Sequence, residues 1–410
     1  MLILFLVINL LYNYNLVAQA QDNNFEKMRV EAEKGNSAAQ FTLGLAYANG
    51  NGVTQNSEET IKWWKLSAAQ GNPGAQLYLG IAYASGIGVI KDEAEAAKWY
   101  TKAAEKNSKI GQLMLATAYS QGIGVEKNQE QAVFWYRKAA DQGVGEAQAR
   151  LGELYATGTG VKEDLQEAIQ WWKLASSNGV IRAQVYLANY YVLGKGVAID
   201  PKESAKWQQI AADSGDSRMQ TQLGFSYYEG KGVSKNDEQA TKWWRKAAEQ
   251  GEPLGQYMIG KAYSSGFGVE KNNAEAIKWL KKAAEQDEVH AISWLGFAYY
   301  FGRGAEQNIV EGLNWIRKGV AKSDATSQAL LGNAYYIGQG LTQDYSEAIK
   351  LYRLSAEQGN RFGELFLGFA YYEGNGVEKD PIEASKWLKK AADQGLEDAK
   401  RLLQKLNPEN

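Results

Sequence analysis

Residues Leu43–Val53 read LGLAYANGNGV, and residues Leu79–Val89 read LGIAYASGIGV. The phrase returns from Leu151 as LGELYATGTGV. Its leading Leu or Ile stands at 43, 79, 115, 151, 187, 223, 259, 295, 331 and 367, a step of 36 residues without insertion or deletion. A short fixed period marks a chain whose units cannot bury their apolar faces alone and must stack on one another. Ten such units span 37–396, so a single array replaces the two or three globular domains that 410 residues would otherwise suggest.

Each unit holds two helical patterns. In the first, Ala39, Leu43, Ala46 and Tyr47 fall near one face of a 3.6-residue helix, termed helix A. Residues Ser57–Gln70 carry Ile61, Trp64 and Ala68 on the inner side of a second, helix B. Gly-x-Gly-Val and a short polar stretch separate the two. The first Gly, as at Gly50, supplies the left-handed residue that closes helix A, and the second lets the chain turn back. Asn or Asp precedes every helix B, with Glu or Gln three residues later, as at Asp200 and Glu203. That is the pattern of a capping box. Gly or Ala beside the motif Leu, as at Gly44 and Ala116, predicts close helix approach. Twelve of the 13 Trp lie at the centre of a helix B, so aromatic rings fill the remaining space, and Trp207 is expected in the core.

The combination A-x-Q-x-x-L-G-x-x-Y-x-x-G-x-G-V followed by A-x-x-W-Y-x-x-A-A resembles the Sel1-like repeat, a relative of the tetratricopeptide repeat. The second unit carries it in Ala75-Gln76, Leu79-Gly80, Tyr83, Gly86, Gly88-Val89, Ala96, Trp99-Tyr100 and Ala103-Ala104. The resemblance implies an all-α fold, a right-handed α/α superhelical solenoid that binds other proteins with A helices lining its concave surface. Bacterial chains of this kind are often exported. Some cysteine-rich relatives are linked to β-lactam binding or hydrolysis, but this chain has no Cys. Residues 21–36 and 397–410 read as N- and C-terminal capping helices, the latter with Lys400, Arg401, Gln404 and Lys405 outward.

Residues 1–20 carry no charge, and Ala18-Gln19-Ala20 is a small-x-small cleavage signature. A signal peptide cleaved after Ala20 is expected, with an uncleaved anchor as the rival reading. Cleavage would leave no stable membrane span and a periplasmic or secreted location in a bacterium. The absence of cysteine excludes a disulfide framework, a thiolate zinc site and a cysteine nucleophile. A net charge of −2 gives no footprint for nucleic acid. The Gly-x-Gly ends a helix and lacks the Gly-Lys-Ser/Thr of a phosphate loop. The lone His290 has no second His with which to build a metal site or relay. No catalytic, metal or cofactor residue is therefore assigned.

The face of helix A opposite the motif Leu is represented by the positions of 45, 48 and 49. In the first five units it is small, polar or aliphatic: Ala48, Ala84, Thr117, Ser120, Glu153, Asn189. In the last five it becomes aromatic: Phe225, Tyr228, Phe297, Tyr300, Phe301, Tyr336, Phe369 and Tyr372. With Trp294, these rings are the candidate partner-binding residues. In one reading they line a concave groove for a protein or peptide segment. In the other they pack adjacent A helices together. The first reading expects Tyr300 and Tyr372 to tolerate Ala with little loss of stability. An exported interaction scaffold is the resulting expectation. A binder of envelope polysaccharide or peptidoglycan is the alternative, and a β-lactam-processing enzyme is further off. Unit eight departs from the pattern at Ala305, Gly312, Gly319 and Ser323, with Asp287 replacing Gly just before it, read either as drift or as a local joint.

Overall fold

The computed structural model describes residues 23–406. The expected signal segment and its cleavage site lie outside the described residues, as do positions 407–410 of the expected C-terminal cap. Among the described residues the regular structure is 22 helices, an all-α solenoid of A–B pairs. The chain divides into two compact units, one ending at Trp207 and one beginning at Gln208. The first holds Asn23–Glu33 and then alternating A and B helices from Ser37–Asn49 and Ser57–Ala69 to Ile181–Leu193. The second runs from Ser217–Glu229 and Asp237–Glu249 to Pro381–Asp393 and closes on Glu397–Leu406. Each A or B helix has 13 residues.

Side chains start the helices. Asn56 accepts from the Glu59 amide at 3.1 Å, and Asn236 from the Gln239 amide at 2.9 Å, as the sequence pattern requires. The reciprocal half of the capping box does not form. The Asn56 amide donates instead to the Tyr47 carbonyl at 3.0 Å, and Asn236 to Tyr227 at 2.9 Å. The same bond ties Asp92 to Tyr83 and Asp380 to Tyr371, so helix B is fastened to its own helix A through the motif Tyr. The released Glu accepts an indole N–H one turn later, Trp63 to Glu59 and Trp387 to Glu383, each at 3.0 Å.

The core is built between repeats. One cluster joins Ile61, Trp64 and Ala68 of the first helix B to Ala75, Leu79 and Ala82 of the second helix A. In most repeats a glycine follows the motif Leu and sits against the second central side chain of helix B. A Cβ at Gly80 would lie 2.5 Å from the Tyr100 ring, and one at Gly152 would overlap the Trp172 indole. Trp172 and Trp244 are both 1% exposed. Trp207, expected in the core, is only half-buried. It occupies the first Trp position, which in most repeats lies on the flank of helix B, and Lys206 sits 5.8 Å from its ring. Gly152→Val should therefore destabilise the fold by about 1–3 kcal/mol through overpacking. Denaturant unfolding of the variant checks this, and an unchanged midpoint would contradict the close approach.

The motif Gln spans two repeats. The Gln256 side-chain amide donates to the Ala248 carbonyl of the preceding helix B at 3.3 Å. Its oxygen accepts from Gln286, at the end of its own helix B, at 2.9 Å. Gln220 repeats the arrangement with Ala212 and Gln250. The tenth repeat carries Glu364 at this position, 3% exposed and accepting from Gln394 at 2.8 Å. Burial raises its pKa, opposed by the Gln394 hydrogen bond and the Lys390 charge. A raised folded pKa means stability that is full below the unfolded value of 4.5 and is lost as pH rises through the folded one. Glu364→Gln should thus raise the denaturant midpoint at pH 7 and have a smaller effect at pH 4. A substitution that destabilises equally at both values would show that the carboxylate is not strained there.

Candidate functional site

Helix A is amphipathic in an unusual sense. One side faces its own helix B, and adjoining sides face the preceding helix B and the next repeat. Only the remaining stripe is free. The aromatic residues of the last five repeats divide between these surfaces.

Tyr300 is fully buried, at 0% exposure. Its hydroxyl donates to the Gln339 carbonyl at 3.1 Å, inside the Gly-x-Gly turn of repeat nine. Burial raises its pKa. Tyr336 receives a hydrogen bond from Asn375, the corresponding turn residue of repeat ten, at 2.9 Å. Tyr228 meets Phe267 of the repeat-seven turn edge-on at 5.1 Å, while remaining 41% exposed. These three tyrosines share one position of the repeat, and each reaches forward to the next turn. The expected tolerance of Tyr300 to Ala is therefore corrected: this ring is part of the seam between repeats eight and nine. A helical wheel drawn for one isolated repeat assigns this position to solvent because it omits the neighbouring turn.

The other rings lie half-buried. Phe225 packs edge-on to Trp244 at 5.5 Å. Phe297 and Phe301 stand 5.1 Å apart on one helix, and the Arg303 guanidinium lies 5.7 Å from the Phe297 ring. Phe369 lies 6.1 Å from Tyr336, and Lys379 is 5.6 Å from the Tyr372 ring. Trp294 packs against the core of repeat seven, and a Cβ at Gly304 would meet its ring at 3.2 Å. Trp294 thus supports the surface more than it lines it.

Repeat ten adds Phe362 and Phe366, which the sequence reading missed, to the expected Phe369. Phe362, Phe366 and Phe369 follow the i, i+4, i+7 spacing of a single helix face, and Phe362 is 37% exposed. That spacing was available in the sequence. Phe362 and Phe366 lie in the first turns of helix A, ahead of the positions equivalent to 45, 48 and 49. Ile337 of repeat nine, 49% exposed, extends the same surface.

His290 is exposed, beside the Tyr257 ring at 5.6 Å. Among the described residues no group of three or more His, Cys, Asp or Glu is placed to hold a metal ion, and no helix is long and apolar enough to cross a membrane. An open depression of about 660 Å³ lies between Asp164 and the Gly194–Gly196 turn. The helix amides that could hold a phosphate there, of Gln166 and Glu167, are already bonded to Asp164.

The sequence profile described as Sel1 repeat matches residues 37–72, 73–108, 110–144, 145–180, 181–216, 217–252, 253–288, 289–324, 325–360 and 362–396. Among solved structures, the chain is similar to a protective antigen present in uropathogenic Escherichia coli strains and described as displaying an SLR fold. The two are 33% identical over 94% of this chain and 91% of that one, with a TM-score of 0.60. A Sel1 repeat protein from Oxalobacter formigenes is 28% identical over 60% of this chain and 96% of its own, with a TM-score of 0.49. No curated protein sequence matches.

The seam and the free stripe should separate by mutation. Tyr300→Ala should cost about 3–5 kcal/mol, as removal of a fully buried aromatic ring does. Phe301→Ala, next to it but half-buried, should cost clearly less. Equal losses in denaturant unfolding would contradict the division.

Proposed function

Because the chain belongs to the Sel1 repeat family, whose solenoids generally mediate protein–protein interaction and are typically non-catalytic, we propose that it is an exported scaffold. In this reading it binds a partner segment on the free A-helix stripe of its C-terminal unit. One observation carries the proposal. Phe301, Phe362, Phe369 and Ile337 leave apolar surface uncovered on helices whose opposite sides are locked by Gly packing and hydrogen bonds. Clustered exposed apolar side chains mark interaction surfaces. Rings on rigid elements lose little entropy when they are covered. Tyr228, Phe225, Phe297, Tyr336 and Tyr372 border the stripe. Tyr300 acts only by holding it together.

Export rests on the uncharged leader and its Ala-Gln-Ala signature. The description of the similar E. coli protein as a protective antigen supports the same reading. Mature protein from the native host should begin at Gln21, and an intact Met1 on cytosolic material would refute export.

A photo-crosslinking residue at position 301 tests the binding surface, with one at Lys62 on the outer flank of the first helix B as control. Position 301 should capture a polypeptide that position 62 does not. Phe301→Ala with Phe369→Ala should then weaken binding of that polypeptide by about 2 kcal/mol or more. Equal capture at both positions would remove the site. Capture of glycan alone would favour the polysaccharide-binding alternative.

A further inference from the structure

The rings of repeats eight and ten stand on either side of a lower strip. The 36-residue period aligns Phe297 of repeat eight with Asn333 and Phe369 of repeats nine and ten, His290 with Thr326 and Phe362, and Phe301 with Ile337 and Glu373 on successive A helices. The three helices are joined edge to edge. Tyr300 bonds to the repeat-nine turn, and Asn360, the cap of the repeat-ten helix A, donates to Thr326 at 3.1 Å. Thr326 and Asn333 are short, half-buried and polar. The side-chain sizes give a shallow trough between aromatic walls, its floor polar at Thr326 and Asn333 and apolar at the exposed Ile337.

Its charges are one-sided at the rim. The Arg303 guanidinium rests 5.7 Å from Phe297 on one wall, and Arg361 rests 5.0 Å from Phe362 on the other. Both arginines are exposed, and neither makes an ion pair with a carboxylate among the described residues. The lysines on the outer flanks of the same repeats differ. Lys318 of repeat eight pairs with Asp287, Lys350 of repeat nine with Glu347 and Lys386 of repeat ten with Glu383. Arg361 also opens its helix, where the backbone dipole disfavours a cation and favours an anion. A guanidinium in that place adds to the positive potential of the helix end. Glu364 in the same turn is buried and turned to Gln394, so it does not answer the charge at the rim. Glu373, one period after Ile337, is exposed at the far end of the helix from Arg361.

We propose that the partner segment is an acidic peptide with interspersed apolar side chains, seated in the trough of repeats eight to ten with carboxylates on Arg303 and Arg361. This rests on the protein-binding reading above and narrows it. Apolar side chains would cover Phe301, Phe362 and Phe369, which the solvent now reaches. Carboxylates would take the two guanidiniums, each already oriented on a ring and offering paired N–H donors.

Three fluorescein-labelled peptides of equal length test it: one alternating Glu with Leu, one alternating Lys with Leu, and one of Glu and Ser. The intact chain should bind the Glu–Leu peptide about tenfold or more tighter than either other peptide. The preference over the Lys–Leu peptide should shrink in about 0.5 M NaCl, where exposed charges are screened. Arg303→Glu with Arg361→Glu changes exposed side chains only, and should reverse that preference. Phe362→Ala should weaken the Glu–Leu peptide without reversing it. Equal or better binding of the Lys–Leu peptide would overturn the charge assignment and leave protein binding at this face standing. Equal binding of the Glu–Ser peptide would overturn the role of the rings. Binding of a muropeptide where no peptide binds would overturn the proposal, and the crosslink at position 301 decides separately whether any polypeptide docks.

Discussion

The contact on which the rest of the array depends is the one between a glycine of helix A and the central side chain of helix B. At Gly80 and Gly332 a single added carbon would come within 2.5 and 2.8 Å of the Tyr100 and Tyr352 rings. Two helices brought this close fix their crossing, and the crossing fixes where the Gly-x-Gly turn delivers the next residue. The second glycine of that turn is squeezed in its own right: a Cβ at Gly376 would lie 2.8 Å from the backbone oxygen of Tyr345, at the start of the preceding helix B. Each repeat is therefore gauged against the one before it. This explains why the spacing never varies. An inserted residue would lift one turn off its neighbour, and a solenoid has no other core with which to compensate.

Most of the fold was legible in the sequence because its causes are local or nearly so. Periodicity, caps, small residues and left-handed glycines each involve residues within a few positions of each other. What escaped depended on neighbours in space. The capping box read from Asn56 and Glu59 forms only in part, since the motif Tyr carbonyl has taken the cap amide. The Gln column was recognised as a signature, but its purpose appears only when the preceding helix end and the following cap are seen together. The candidate site suffered in the same way. Tyr300 and Phe301 are adjacent and equally aromatic, yet one is sealed under the next turn and the other is half-open.

Repeat eight shows that the constraint can be met by substitution. Ile292 stands where the other repeats place Gln or Glu, and cannot donate to the preceding helix end. Lys318 does so instead, its ammonium 2.7 Å from the Ala284 carbonyl. Asp287 occupies the left-handed position that most repeats give to Gly, with φ of 65°. It pairs with Lys318 at 3.2 Å and Lys322 at 2.9 Å, and these lysines lower its pKa. Gly312 replaces the usual Ala because a Cβ there would come within 2.6 Å of the Tyr300 backbone. Two of the departures, Asp287 and Gly312, are thus linked to Lys318 and Tyr300 respectively.

The same linkage bears on how such a chain can present a surface. A ring that is to be covered by another molecule must be held when it is uncovered, or ordering it would cancel much of what its burial contributes. Here the holding is done from behind. Tyr300 fastens repeat eight to repeat nine, Tyr336 fastens repeat nine to repeat ten, and the Gly contacts keep each helix A against its helix B. Phe301, Ile337 and Phe369 are then free to differ from repeat to repeat, because none of them sets the spacing. An array divided in this way can change its exposed stripe without disturbing its seams, and the aromatic stripe confined to the later repeats is what that division permits.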